Sequence, residues 1–321
     1  DPVSAELKQM VTDSASSTFS VKKWEEADRY SKKAIKFKEK DALMSSGNEF
    51  AVTGVKLKAP YGIACLPEGI LLADHGENCL YLIDYSGNLV RKIGELGNGP
   101  NQFQKPTGCT YHNGYYYVID SGNKRIVILD RQFNYTKELK LPKSERESEK
   151  EFTDIAINDK GDIYISGSYL YDSGLYRYNL EKDKFENVQK YFYGSLKEFG
   201  GEVYAVDQFR IYVDFEKKEI TGGAGPNALW RLDGRNIKKL SNLPAGLNAG
   251  SFELLRDNLI ICSPFHSAVM VFNMKNGKYM SNIYEVDKMD YKTYASIYGS
   301  DLYITEPEKG KILKISLEKL Q

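Results

Sequence analysis

Cysteine is scarce, and its spacing excludes the sites that cysteine usually builds. Cys65, Cys79, Cys109 and Cys262 form no C-x-x-C pair and have no histidine at ligand distance along the chain, which rules out zinc-finger and thioredoxin-like motifs. Cys65, Cys79 and Cys109 lie in apolar, strand-like runs, so all four thiols are expected free, as small packed residues. Histidine is rarer still, at three residues. An excess of one charge is also missing, since Lys plus Arg and Asp plus Glu number 44 each. No whole-molecule field therefore favours nucleic acid, an anionic membrane or an acidic substrate. No stretch approaches the ~18 apolar residues of a membrane-spanning helix. The chain begins with Asp1 rather than Met, which fits removal of an export signal and an extracytoplasmic location.

What is present is ordinary globular material with one bias. Hydrophobic residues make up 41% and charged residues 27%, enough to build a core. Tyrosine is abundant, at 24 residues beside 14 Phe and 2 Trp, as suits many half-buried strands.

The organisation shows in self-similarity. Residues 60–84, PYGIACLPEGILLADHGENCLYLID, align with residues 106–130, PTGCTYHNGYYYVIDSGNKRIVILD. Looser copies begin at Phe152, Gly194, Ala249 and Tyr294. The second strand of each copy ends at Asp74, Asp120, Ser166, Asp207, Cys262 and Thr305, with successive spacings of 46, 46, 41, 55 and 43. A period of about 45 residues, carried by short Tyr/Ile/Val/Leu runs without helical spacing, predicts a six-bladed β-propeller of four-stranded blades. Turns such as His112-Asn113-Gly114 and Asp159-Lys160-Gly161 supply the positive φ that tight hairpins need. The last copy runs out after three strands, so a strand from residues 49–58, EFAVTGVKLK, is expected to complete blade six and close the ring.

Residues 1–47 fall outside the propeller, which occupies 48–321. Trp24, Ala27, Tyr30, Ala34 and Phe37 stand at helical spacing and predict an amphipathic helix over about residues 21–43, as a short N-terminal extension. In blade four the third strand is assigned to residues 228–233, ALWRLD, which makes roughly 208–227 an insertion, read either as a flap over the channel mouth or as a self-packed hairpin.

With these residues in hand the chain resembles NHL-repeat six-bladed propellers, of the kind found in secreted or lipid-anchored bacterial proteins. The second copy carries the likeness best, in GELGNGPNQF (94–103), Lys105-Pro106-Thr107-Gly108 and YVIDSGNKRI (117–126). The resemblance implies a ligand at the mouth where the loops between second and third strands converge. The expected ligand-binding residues are His75, Glu77, Arg125, Tyr169, Phe209, Arg210, Phe265, His266 and Glu306. Asp74, Asp120 and Asp207 form no catalytic ring in this reading, because Asp before Ser, Gly or Asn caps its own turn.

Related propellers use metal: peptide-amidating lyases through histidines, gluconolactonase-like enzymes through a calcium held by Glu, Asn and Asp. Neither set is matched here. His112 lies on the opposite face, and only Asp154 and Asn248 resemble calcium ligands in position. No metal, cofactor or catalytic residue is assigned. Single-stranded RNA on Lys124, Arg125, Tyr169, Tyr171, Phe209 and Arg210 is disfavoured by the neutral charge. The expectation is a monomeric, non-enzymatic propeller that holds a peptide, glycan or protein segment, with a metal-dependent lyase or lactone hydrolase as the alternative.

Overall fold

The computed structural model describes residues 47–143, 151–168, 173–190, 192, 194–207, 212–214, 219–221, 227–244, 247, 249–264, 266–290 and 292–320. The expected helix over 21–43 lies outside them.

Strand β1 (Gly47–Glu49) comes first in the chain and last in the ring. Blade one follows as β2 (Pro60–Leu66), β3 (Gly69–Asp74), β4 (Cys79–Ile83) and β5 (Leu89–Ile93). A short parallel pair, β6 (Glu95–Leu96) and β7 (Gln102–Phe103), forms the linker. Blade two is β8 (Pro106–His112), β9 (Tyr115–Asp120), β10 (Arg125–Leu129) and β11 (Tyr135–Lys140). Blade three is β12 (Glu151–Ile157), β13 (Ile163–Ser168), β14 (Gly174–Asn179) and β15 (Lys184–Lys190). Blade four begins with β16 (Gly194–Phe199) and β17 (Glu202–Asp207), passes through a hairpin of β18 (Tyr212–Asp214) and β19 (Glu219–Thr221), and resumes with β20 (Ala228–Asp233) and β21 (Asn236–Asn242). Blade five is β22 (Ser251–Leu255), β23 (Asn258–Ser263), β24 (Ala268–Asn273) and β25 (Tyr279–Glu285). Blade six is β26 (Ala295–Tyr298), β27 (Asp301–Glu306) and β28 (Lys311–Ser316), and β1 pairs antiparallel with β28 as its fourth strand.

The ring is therefore closed by an N-terminal strand, but earlier in the chain than residues 49–58 would have it. Among the described residues Gly47–Glu49 pair with β28, followed by one further bond from Phe50 N–H to Ile312 C=O at 2.8 Å. From Phe50 onward the apolar positions turn inward instead. Phe50 and Leu57 are buried in the cluster between blades six and one, with Val52 and Val55 packed against it. Burial of these side chains wins over continuation of the ladder, and Thr53 merely bridges Asn88 beside blade one.

Six hydrophobic clusters hold the blades together, one at each blade-to-blade interface. This explains why the middle strands are apolar without alternation. Leu71 and Ala73 of β3 face blade two, while Ile70 and Leu72 face blade six. All six residues of β3, GILLAD, are buried. Each such aliphatic side chain contributes roughly 1.5–3 kcal/mol by leaving water. The hairpin chemistry also follows the sequence, with Asn113 at φ 48° and Gly114 at φ 86° between β8 and β9, both in the left-handed region that this tight turn demands.

The innermost strands β2, β8, β12, β16, β22 and β26 line the central channel. Blades one to three bulge at the same place, between Pro60 and Ile63, Pro106 and Cys109, and Phe152 and Asp154. These inner strands approach so closely that a Cβ on Gly62 would stand 2.1 Å from Thr107 C=O. Only glycine fits there.

Candidate functional site at the mouth and in the channel

Register fixes which residues meet at the mouth. The starts of the inner strands pair with the ends of the second strands, as in Pro60 with Asp74, Pro106 with Asp120 and Glu151 with Ser168. Loops between second and third strands therefore share one rim with the connections between blades.

Beneath that rim the repeat aspartates are staples. The fully buried Asp74 carboxylate accepts N–H groups from Lys58 at 2.8 Å and from Ala59, Gly76 and Glu77 at 3.0 Å each. Asp120 accepts Gln104 N–H at 2.7 Å, Asn123 Nδ2 at 2.8 Å and Arg125 Nε at 2.9 Å. In blade six Thr305 does comparable work: its Oγ1 accepts Tyr294 N–H at 3.1 Å and donates to Tyr61 C=O at 3.0 Å. These groups tie each incoming connection to its blade, as Asx-type hydrogen bonding predicts.

The mouth itself is aromatic and ionic. Tyr61 stacks on His75, with centroids 4.3 Å apart and planes at 11°, and lies 5.9 Å from the Tyr294 ring. Lys292 Nζ stands 5.3 Å from the Tyr61 centroid, within cation–π range. The same ammonium pairs with Glu151 Oε2 at 2.7 Å. Since Lys292 leads into blade six and Glu151 starts blade three, which face each other in a ring of six, this ion pair crosses the mouth. His75 Nδ1 is buried without a hydrogen-bond partner. Burial lowers the His75 pKa below the ordinary imidazole value, Lys292 and Lys105 adding to that and Glu151 opposing it. The ring is neutral at pH 7.

Below the mouth lies a cavity of about 250 Å³, walled by inner-strand residues from all six blades. It runs from Gly62 and Tyr294 near the mouth to Leu66, Tyr111 and Glu198 at the far ends of their strands. Its chemistry is a buried ion cluster. Lys197 Nζ on β16 pairs with Glu253 Oε1 on β22 at 2.9 Å and donates to Ala295 C=O at 2.5 Å. Asp154 on β12 accepts Leu196 N–H at 2.9 Å and Ile155 N–H at 3.0 Å. Burial raises the Asp154 pKa to about 6, against the opposing pull of Lys197 and the two N–H donors. Burial likewise pushes Glu253 up, while Lys197, which burial alone would lower, is carried upward by Glu253 and Asp154.

A metal does not fit this donor set. Among the described residues no three His, Cys, Asp or Glu side chains converge as ligands, and an ammonium already sits against Glu253.

The expected mouth residues are only partly brought together. His75 lies at one end of the stack, against Tyr61, and Glu77 follows it in the same loop, paired with Lys58 at 3.6 Å. His266 is half-buried in the loop after β23. Glu306 is 1% exposed and paired with Lys309 at 2.5 Å. Arg125 sits inside the blade: it is buried, bound to Asp120 and to Glu138 at 2.8 Å, and donates to Gly99 C=O at 3.0 Å and Gln102 C=O at 2.9 Å. It pins the NHL-like linker, with its donors turned away from solvent. Tyr169, Phe209, Arg210, Phe265 and Asn248 lie outside the described residues. The sequence reading passed over Tyr61, Tyr294, Lys292, Glu151, Lys197 and Glu253. For the last two a signal existed, because a charged residue inside an innermost propeller strand has only the channel to face.

Comparison with known proteins bears on the fold. A family model described as a 6-bladed beta-propeller matches residues 54–204, which with the six closed blades supports a six-bladed propeller family. No curated protein matches the chain in sequence. Among solved structures, virginiamycin B lyase from Staphylococcus aureus is similar at 15% identity and a TM-score of 0.56, over 85% of this chain and 99% of that one. A gluconolactonase from Xanthomonas campestris is similar at 11% identity and a TM-score of 0.60, over 87% and 95%. A luciferin-regenerating enzyme is similar at 11% identity and a TM-score of 0.59, over 85% and 95%. At such identities the likeness establishes the fold alone.

Proposed function

We propose that this protein is a non-enzymatic binding propeller that holds a peptide, glycan or protein segment at the channel mouth. The observation that carries this reading is the Tyr61–His75–Tyr294 group, braced by the Lys292–Glu151 pair and containing a buried imidazole nitrogen without a partner. Aromatic faces with a few converging polar groups suit a ligand that is part apolar and part polar. The reading includes a monomeric protein in an extracytoplasmic, bacterial setting, supported by the resemblance to secreted NHL-like propellers. Thermal-shift screening of peptides and oligosaccharides tests it, since a ligand that binds only the native state raises its apparent stability. A ligand whose shift disappears in His75→Ala supports the mouth.

A second reading, a lyase or lactone hydrolase, is favoured by one observation. Asp154 is a channel carboxyl whose pKa of about 6 suits proton transfer near neutral pH. Similar folds are carried by proteins named as a virginiamycin B lyase and a gluconolactonase. Substrate conversion that follows an apparent pKa near that value and is lost in Asp154→Asn would select this reading over binding alone.

A further inference from the structure

The geometry points to an ammonium-recognition site at the mouth, formed by the Tyr61 ring and the Glu151 carboxylate and filled by the protein's own Lys292, with which a lysine side chain of a bound peptide or protein segment exchanges. Resting on the mouth as the binding surface, this assignment selects a lysine-bearing segment over a neutral glycan.

The contacts that Lys292 makes define what the place recognises. Its Nζ lies 2.7 Å from Glu151 Oε2 and 5.3 Å from the centroid of the Tyr61 ring. One carboxylate and one aromatic face therefore already hold a cation at contact distance, which is the pairing that separates an ammonium from a hydroxyl or an amide. The Tyr61 ring is set in place by its stack on His75 at 4.3 Å and by Tyr294 at 5.9 Å. His75 adds no competing charge, because burial keeps its imidazole neutral at pH 7. Burial alone would lower the Lys292 pKa, but Glu151 and Tyr61 carry it upward, so the surroundings favour the charged form of an amine. The occupant is also exchangeable. The Lys292 and Glu151 side chains are 49% and 28% exposed, and an ion pair so open to water is weakly held. Lys292 stands in the connection before β26, at the rim, where its long stem can turn outward without moving a strand. Its departure leaves the Glu151 carboxylate and the Tyr61 face to a second cation of the same shape. The Lys197–Glu253 pair below differs in being shielded and backed by Ala295 C=O, which fixes it as part of the frame.

Titration followed by amide NMR, at low ionic strength and pH 7, tests the exchange on the full chain. The probe is Nα-acetyl-lysine methylamide, whose blocked α-amine leaves the side chain as its cation. Its Nζ-acetylated and norleucine counterparts are the uncharged controls. Lys292→Ala should bind the lysine probe at least about tenfold more tightly than the native chain, because a resident competitor lowers apparent affinity by the fraction of sites it fills. Adding Glu151→Gln to Lys292→Ala should abolish that gain, and both controls should bind Lys292→Ala far more weakly than the lysine probe does. Should Lys292→Ala melt well below the native chain, Lys292→Gln is titrated in its place. Equal affinity of the native chain and the Lys292 variant, binding by neither, or norleucine held as tightly as lysine would overturn the assignment. The mouth reading fails separately: a neutral ligand lost in Tyr61→Ala but indifferent to Glu151→Gln would keep the mouth as a binding surface and still overturn the exchange.

Discussion

Asp74 concentrates much of the local order of blade one in one carboxylate. It satisfies four backbone N–H groups that no strand ladder reaches. Asp74→Ala should cost on the order of 2–4 kcal/mol, since buried donors are left without acceptors, and chemical denaturation should show Asp74→Asn in between. Two titrations test the electrostatics. Asp154, raised to about 6, binds its proton more tightly folded than unfolded. Its contribution to stability is thus complete below the unfolded value near 4 and lost as pH rises through about 6, on the order of 3 kcal/mol. Carbon-detected NMR of the Asp carboxyls should find one titrating near 6, and in Lys197→Met that value should climb further. For His75 the sign is opposite. Its pKa is lowered by burial, so the contribution is present above about 6.5 and fades as pH falls.

At the scale of strands, closure and insertion make separate predictions. Phe50 packs edge-on to Tyr303 at 5.3 Å, between blades six and one. Phe50→Ala should therefore cost roughly 2–4 kcal/mol and expose the seam to proteolysis first. Removing residues 1–58 should destabilise the whole ring, whereas removing 1–46 should leave β1 in place and cost less, as thermal melts would show. In blade four β17 pairs directly with β20, Val206 opposite Leu229, so the chain between them is an excursion. Replacing residues 209–225 with a short Gly-Ser turn should leave the melting temperature within a few degrees, and a collapse of the fold would show that the excursion carries the blade.

What the sequence makes legible at this scale is the repeat, because every blade needs the same apolar middle strands and the same turn chemistry. ALWRLD in β20 and the β4 and β10 strands were readable for that reason. The end of β1 was not, since Phe50 and Leu57 read equally well as ladder or as core, and only the neighbouring blade decides. Arg125 misled in a similar way: a cation next to a Gly-Asn turn reads as solvent-facing, but Asp120 and the carbonyls of a linker some twenty residues upstream draw it inward. The mouth stack depends on Tyr61, His75 and Tyr294 meeting across the ring closure, a proximity that local pattern does not encode.

At the scale of the molecule, six blades with apolar seams form a rigid frame around two polar zones, the mouth and the ion cluster beneath it. The central claim is that the mouth binds a ligand through the Tyr61 group. The most direct measurement is binding of the full chain to peptide and glycan arrays, repeated with Tyr61→Ala after its melting curve has shown it folded, with product analysis of every retained ligand. The account predicts a ligand class held unchanged by the native chain and weakened at least about tenfold, ~1.4 kcal/mol, by Tyr61→Ala. Equal retention by the two proteins, or conversion of the ligand into product, would contradict it.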